Sequence, residues 1–185
     1  TDSKKREEEY RRLKDLFELQ ATVDPLTELL NRRGWTQLAE RVWWRAVQTQ
    51  EMVEVLLLDL DHFKKINDQW GHQVGDQVLR HVANVLRRQV RPGDLLGRWG
   101  GEEFILLFHP PIKDIRGVAE RIRQAVETSP MTIGEGAVTI SLTMGIGGTV
   151  FQPGGSEPVG LDIAMVGADR NLYKAKQQGR NRVCI

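Results

Sequence analysis

The sequence predicts an α/β chain, an α+β sandwich built around one central antiparallel sheet. Three observations carry that expectation. Residues 53–60 form a nearly continuous apolar run, Val-Glu-Val-Leu-Leu-Leu-Asp-Leu, which suits a buried central strand. Two more apolar runs, 95–99 and 103–108, flank Gly100-Gly101, and paired glycines between such runs mark a hairpin. Elsewhere apolar residues recur every three or four positions, as on helices with one buried face.

Residues 1–21 contain no Gly or Pro, and six basic residues balance six acidic ones. Tyr10, Leu13, Leu16, Phe17 and Leu19 make one apolar stripe. This predicts a helix, either packed on its own domain or acting as a coiled-coil stalk between two copies. Asp24 then reads as the cap of a helix beginning at Pro25. Helical spacing covers 35–48, through Trp35, Leu38, Val42, Trp43 and Ala46. The strand at 53–60 follows, then a helix near 75–90 with Val78, Val82, Val85 and Leu86 on one face. After the hairpin come a helix at 114–127, a strand at 138–146 and a Gly/Pro-rich loop at 147–160. Gly145-Ile146-Gly147-Gly148 reads as a strand-end turn, because no helix follows it as a dinucleotide loop requires. A helix at 161–177 and a strand at 182–185 close the chain. The order is βαββαβ, a ferredoxin-like, palm-type core with helices mainly on one face, preceded by the N-terminal helix. The expected division is a helical linker or stalk at 1–21 and one domain at 22–185.

Composition narrows the function classes. The 185 residues carry 26 Lys and Arg against 25 Asp and Glu, a net charge of +1. That excludes the broad positive field of a nucleic-acid coating protein, so no nucleic-acid partner is expected. The single cysteine, Cys184, rules out an intrachain disulfide and a cysteine zinc cluster. His62, His72, His81 and His109 do not fall at zinc spacing. No apolar run approaches the about 18 residues of a membrane span. The chain starts at Thr1, so it is expected to be the cytoplasmic piece of a longer protein with an upstream sensor or regulatory domain, with or without a membrane anchor.

The chemistry concentrates in two acidic sites that the topology brings together. Asp59 and Asp61 end the central strand, and Glu102 and Glu103 follow the Gly-Gly turn. Clustered carboxylates repel one another and call for a cation, and oxygen-only ligands favour Mg²⁺. Mg²⁺ keeps open positions for phosphates, as a nucleotidyl-transfer site requires. Lys64, just past Asp61 in His62-Phe63-Lys64-Lys65, offers a point charge beside the N–H groups of a helix start. Asn67 and Asp76 flank Gly71-His72 and Gly75. As turn residues they need no ligand. As a pair they suit guanine, since a carboxylate accepts from N1–H and N2–H₂ together and adenine lacks that donor pair.

These segments resemble the GGDEF family, the diguanylate cyclases. Gly100-Gly101-Glu102-Glu103-Phe104 is similar to its signature in the GGEEF form. Asp24-Pro25-Leu26-Thr27 through Arg33, Asp59 through Asp68, Gly71 through Asp76, and Lys174 through Asn181 resemble four further family segments in the same order, covering roughly 22–185. Two departures stand out: Glu28 replaces the usual Gly, and Trp99 stands where Tyr is commoner. The resemblance implies condensation of two GTP into cyclic di-GMP with release of two pyrophosphates. It implies that Asp59, the Leu60 carbonyl and Glu102 hold Mg²⁺, with Mn²⁺ as the alternative ion. It places Glu103 on the metal or the 3′-hydroxyl and Phe63 and Lys64 on phosphates. Asn67 and Asp76 read guanine with His72 nearby, and Lys176 and Arg180 bind the terminal phosphates. The two-fold product implies a homodimer. Arg91-Pro92-Gly93-Asp94 resembles the family's RxxD site, where cyclic di-GMP inhibits. The competing expectation is a non-catalytic module that binds GTP or cyclic di-GMP and regulates a partner.

Overall fold

The computed structural model describes residues 4–12, 22–152 and 160–185. Residues 4–12 are helical (α1) and exposed, while Leu13, Leu16, Phe17 and Leu19 of the predicted stripe lie outside the described residues. The remaining elements are α2 (Arg32–Thr49), β1 (Val53–Leu60), α3 (Phe63–Trp70), α4 (His72–Arg87), β2 (Leu95–Arg98) and β3 (Glu103–Phe108). They continue with α5 (Ile115–Glu127), β4 (Met131–Ile133), β5 (Val138–Ile140), β6 (Met144–Phe151), α6 (Leu161–Gln177) and β7 (Val183–Cys184).

The main sheet runs β2-β3-β1-β6-β7, with only the β6–β7 pair parallel. Its central strand β1 is buried at every position. Strand geometry sends alternate side chains to opposite faces, and here both faces are covered. Val53, Val55 and Leu57 pack with Trp35 and Trp43 of α2 and Leu161 and Leu172 of α6. Leu56, Leu58 and Leu60 pack with Phe63 of α3, Val78, Val82 and Leu86 of α4 and Ile122 of α5. Helices therefore lie on both faces, not mainly on one. The unbroken apolar run of β1 has this cause: a strand with one wet face would alternate.

Three local readings change. The stretch 138–146 splits, because β4 and β5 form a separate two-stranded sheet and β6 begins only at Met144. Gly145-Ile146-Gly147-Gly148 is no turn; it lies inside β6. A Cβ on Gly147 would strike the Leu172 amide nitrogen and the Ala168 carbonyl of α6, and one on Gly148 would strike Ile185 and Leu56. Glycine lets α6 lie directly on the strand. Asp24 does not cap a helix at Pro25. Its carboxylate accepts from the Thr27 N–H and hydroxyl and closes a turn, and the helix starts at Arg32 with Asn31 accepting from the Gly34 N–H. Glu28 in this turn has φ of 58°, the left-handed region that glycine enters freely.

Candidate active site

The C-terminal end of β1 is a junction of three strands. Asp59 sits opposite Glu103 of β3 on one side and Gly145 of β6 on the other. The Leu60 N–H donates to the Glu102 carbonyl at 3.2 Å, which fixes the acidic turn over the strand end. The Trp99 N–H donates to the Glu103 carbonyl at 2.8 Å and closes the hairpin. Arg98 braces that hairpin. Its guanidinium donates to the Gly101 carbonyl at 2.9 and 3.1 Å and pairs with Asp24 at 3.1 Å. Burial works to raise the Asp24 pKa, but hydrogen bonds from Thr27 and the Arg98 charge outweigh it and hold it below the ordinary value. The opening segment and the glycine turn are thus one unit. Arg98 escaped sequence reasoning, although its place beside the glycine pair was a usable signal.

Asp59 is buried, and burial pushes its pKa up to about 6. The Lys176 ammonium, 2.9 Å from Asp59 Oδ2, works against that rise, while the charges of Glu102 and Glu103 add to it. Among the described residues no three acidic, His or Cys side chains converge into a ready metal cluster. The donor chemistry nonetheless fits a hard divalent cation: a desolvated carboxylate, a strand-end carbonyl at Leu60 and two half-buried glutamates, all oxygen. Mg²⁺ characteristically takes few protein ligands and fills the rest with water and phosphate. Asp61, two residues on, is different. Its Oδ2 accepts from the Thr143 hydroxyl at 2.8 Å and the Asn181 N–H at 2.9 Å, so it ties strand to loop.

The other predicted residues gather around α3 and the ends of α4 and α6. His62 precedes α3 at φ of 56° and provides no side-chain cap, so the first N–H groups of α3 are left to an outside acceptor. Lys64 is exposed there, but the Phe63 side chain is buried in the core, so only its backbone faces the site. Asn67 Oδ1 is buried without a hydrogen-bond partner. It lies so close to Gly75 that any Cβ there would overlap it. An unpaired buried oxygen costs stability that a ligand N–H would restore. His72 and Asp76 are exposed one turn apart on α4. Lys176 occupies the last turn of α6, and Arg180 lies exposed just beyond it.

Arg91 and Asp94 form their own turn. The Arg91 guanidinium contacts both Asp94 oxygens, at 3.0 and 3.3 Å, and donates to the Pro110 carbonyl at 2.7 Å. The Asp94 side chain is only 1% exposed and also accepts from the His109 N–H. Asp94 therefore has no open carboxylate for a base edge in this arrangement. The group presented outward is Arg91, at 46% exposure, with Asp94 orienting it.

A sequence model described as "Diguanylate cyclase, GGDEF domain" matches residues 21–182. The chain is 40% identical over 163 residues to the probable diguanylate cyclase DgcT of Escherichia coli, covering 88% of this chain and 35% of that protein. It is 41% identical over 164 residues to the response regulator PleD of Caulobacter vibrioides, covering 88% and 36%. It thus spans about a third of the length of these curated relatives. The coiled coil and GGDEF domain of DgcB from Caulobacter crescentus, solved with c-di-GMP, superposes with a TM-score of 0.90 at 32% identity, covering 99% of this chain and 95% of that one. On sequence and on fold, the chain belongs to the GGDEF family of diguanylate cyclase domains.

Proposed function

We propose that residues 22–185 are a diguanylate cyclase that condenses two GTP into cyclic di-GMP and two pyrophosphates, working as a Mg²⁺-dependent homodimer. The observation that carries this reading is the Asp59–Glu103 pairing, with Glu102 turned over the same strand end. Asp59, the Leu60 carbonyl and Glu102 would hold Mg²⁺. The ion supplies Lewis-acid polarisation of the α-phosphate and charge neutralisation on the leaving pyrophosphate.

The chain's own residues do the rest. Asn67 Oδ1 and Asp76 accept from the guanine N1–H and N2–H₂ edge, with His72 beside them. The first N–H groups of α3 and Lys64 take phosphate oxygens. Glu103 accepts the proton of the incoming 3′-hydroxyl. That oxygen bonds to the α-phosphorus of the facing GTP as the bridge to the β-phosphate breaks, and pyrophosphate leaves with the electron pair. Lys176 and Arg180 offset its charge. One domain accommodates one GTP, so two domains face each other across a two-fold axis to make a two-fold product. Residues 1–21, as a coiled-coil stalk, would raise the partner's effective concentration. Cyclic di-GMP returning to Arg91, held in place by Asp94, would trap domains apart as product inhibition.

The test is incubation with GTP and Mg²⁺, with nucleotides followed by chromatography and Glu102→Ala alongside. The expected result is cyclic di-GMP from the parent and none from the variant, with turnover per domain rising with protein concentration. Nucleotide binding without product, even with a strong coiled coil fused before Thr1, would instead establish a receptor module.

A further inference from the structure

Lys176 stands where a metal would draw Asp59. Its ammonium lies 2.9 Å from Asp59 Oδ2. The Asp59 side chain is 9% exposed and that of Lys176 36%, so the lysine has a way out to solvent while the aspartate has none. The backbone beneath Lys176 is fixed, because the glycines of β6 seat α6 directly on the sheet. Only the four-carbon stem is free to swing. Beyond it, Arg180 and the uncapped start of α3 mark where phosphate would arrive.

We propose that Lys176 is an exchangeable counter-ion: it occupies Asp59 in the nucleotide-free domain, and it must move to phosphate before a divalent cation binds well. This rests on the cyclase reading of the site. An ammonium and a divalent cation cannot share one buried carboxylate without strong repulsion. A bare cation therefore displaces Lys176 into water and gains little. A cation arriving with a nucleotide gives the displaced ammonium a new anionic partner. The domain thus admits metal and nucleotide together and resists metal alone, and the coupling is reciprocal.

The experiment titrates Mn²⁺ into the nucleotide-free domain and counts free ion by electron paramagnetic resonance. Lys176→Met is expected to bind Mn²⁺ about tenfold more tightly than the parent, within the usual range for coupled sites. Lys176→Arg, which keeps the charge, is expected to bind as weakly as the parent. With a non-hydrolysable GTP analogue present, the order of parent and Lys176→Met reverses. If Lys176→Met does not fold, Lys176→Gln carries the same expectation. Tightening that vanishes when Asp59→Asn is added supports the exchange. Tightening that survives Asp59→Asn, appears equally in Lys176→Arg, or is absent from the neutral variants overturns it. Cyclic di-GMP formation by the parent is measured in the same preparation. Product without Mn²⁺ tightening removes the exchange alone, whereas no product leaves the cyclase reading to fail separately.

Discussion

Asp59 and Asp61 sit two residues apart at the end of one strand, and both are buried. Their surroundings differ in kind. Asp61 is held by a hydroxyl from the loop before β6 and by a backbone N–H from the loop before β7. Asp59 has a lysine on a flexible stem and two repelling glutamates, and it is pushed up to about 6. A buried charge with fixed hydrogen-bond donors holds a structure together. A buried charge left to an exchangeable cation costs stability and is kept for chemistry.

The widest separation between the two should come from removing each carboxylate. Asp59→Asn is expected to lower cyclic di-GMP turnover by about 10³-fold or more, the order expected when transition-state charge stabilisation is lost. Its unfolding free energy should stay within about 1 kcal/mol of the parent, since a desolvated charge is lost with its partner free to enter solvent. Asp61→Ala should do the reverse to stability. Losing two hydrogen bonds to a buried carboxyl group should cost about 2–3 kcal/mol in urea unfolding. Equal stability losses in the two variants would dissolve the contrast.

Smaller effects sharpen it. Gly147→Ala places a methyl group against the α6 backbone and is expected to cost about 1–3 kcal/mol by overpacking. It should also displace Lys176 from Asp59, so a loss of stability with unchanged Mn²⁺ affinity would argue against a rigid seat for α6. Arg123 bonds Glu120, Glu127 and the side chain of Asn181, whose N–H holds Asp61. The Arg123 hydrogen bond lowers the Glu120 pKa below its ordinary 4.5, against a smaller opposing effect of burial. Glu127 is lowered too, by Arg123 and then Asn181. Lowered carboxylates contribute stability above the unfolded pKa and lose it as pH falls through the folded one. Melting temperature should therefore fall more steeply below about pH 4.5 in the parent than in Arg123→Met. Parallel curves would remove the network from the account.

Much of this was legible in the sequence because the signals were local and chemical. The run Val53–Leu60 and the Gly100-Gly101 hairpin with its acids are enough to bring the hairpin tip to the end of that strand, and the register then sets Asp59 opposite Glu103. β6 was half lost, because its glycines carry no side chains and so show no periodicity; their reason lies in α6, in residues 168 and 172. Asp24 looked like a helix cap since Asp-Pro serves both turns and helices; its bonds from Thr27 close a turn, and the distant Arg98 that pairs with it has no local signal. Asp94 reads in sequence as an open acceptor, yet the His109 N–H reaches its carboxylate from fifteen residues away and the Pro110 carbonyl takes the Arg91 guanidinium from nineteen, and nothing local announces either. The Phe63 ring fills the core, which leaves its N–H at the start of α3 as the group it could offer a phosphate.

In the proposed cyclase, the acidic turn over the end of β1 performs the chemistry. Glu103→Gln tests it most directly, since it changes one atom in a half-buried side chain that lies beside Asp59 in register. Turnover of GTP and affinity for Mg²⁺ with a non-hydrolysable GTP analogue should be measured on the same protein. Turnover is expected to fall by about 10²–10⁴-fold, as for loss of a general base, with affinity nearly unchanged. Turnover at the parent's level would contradict it.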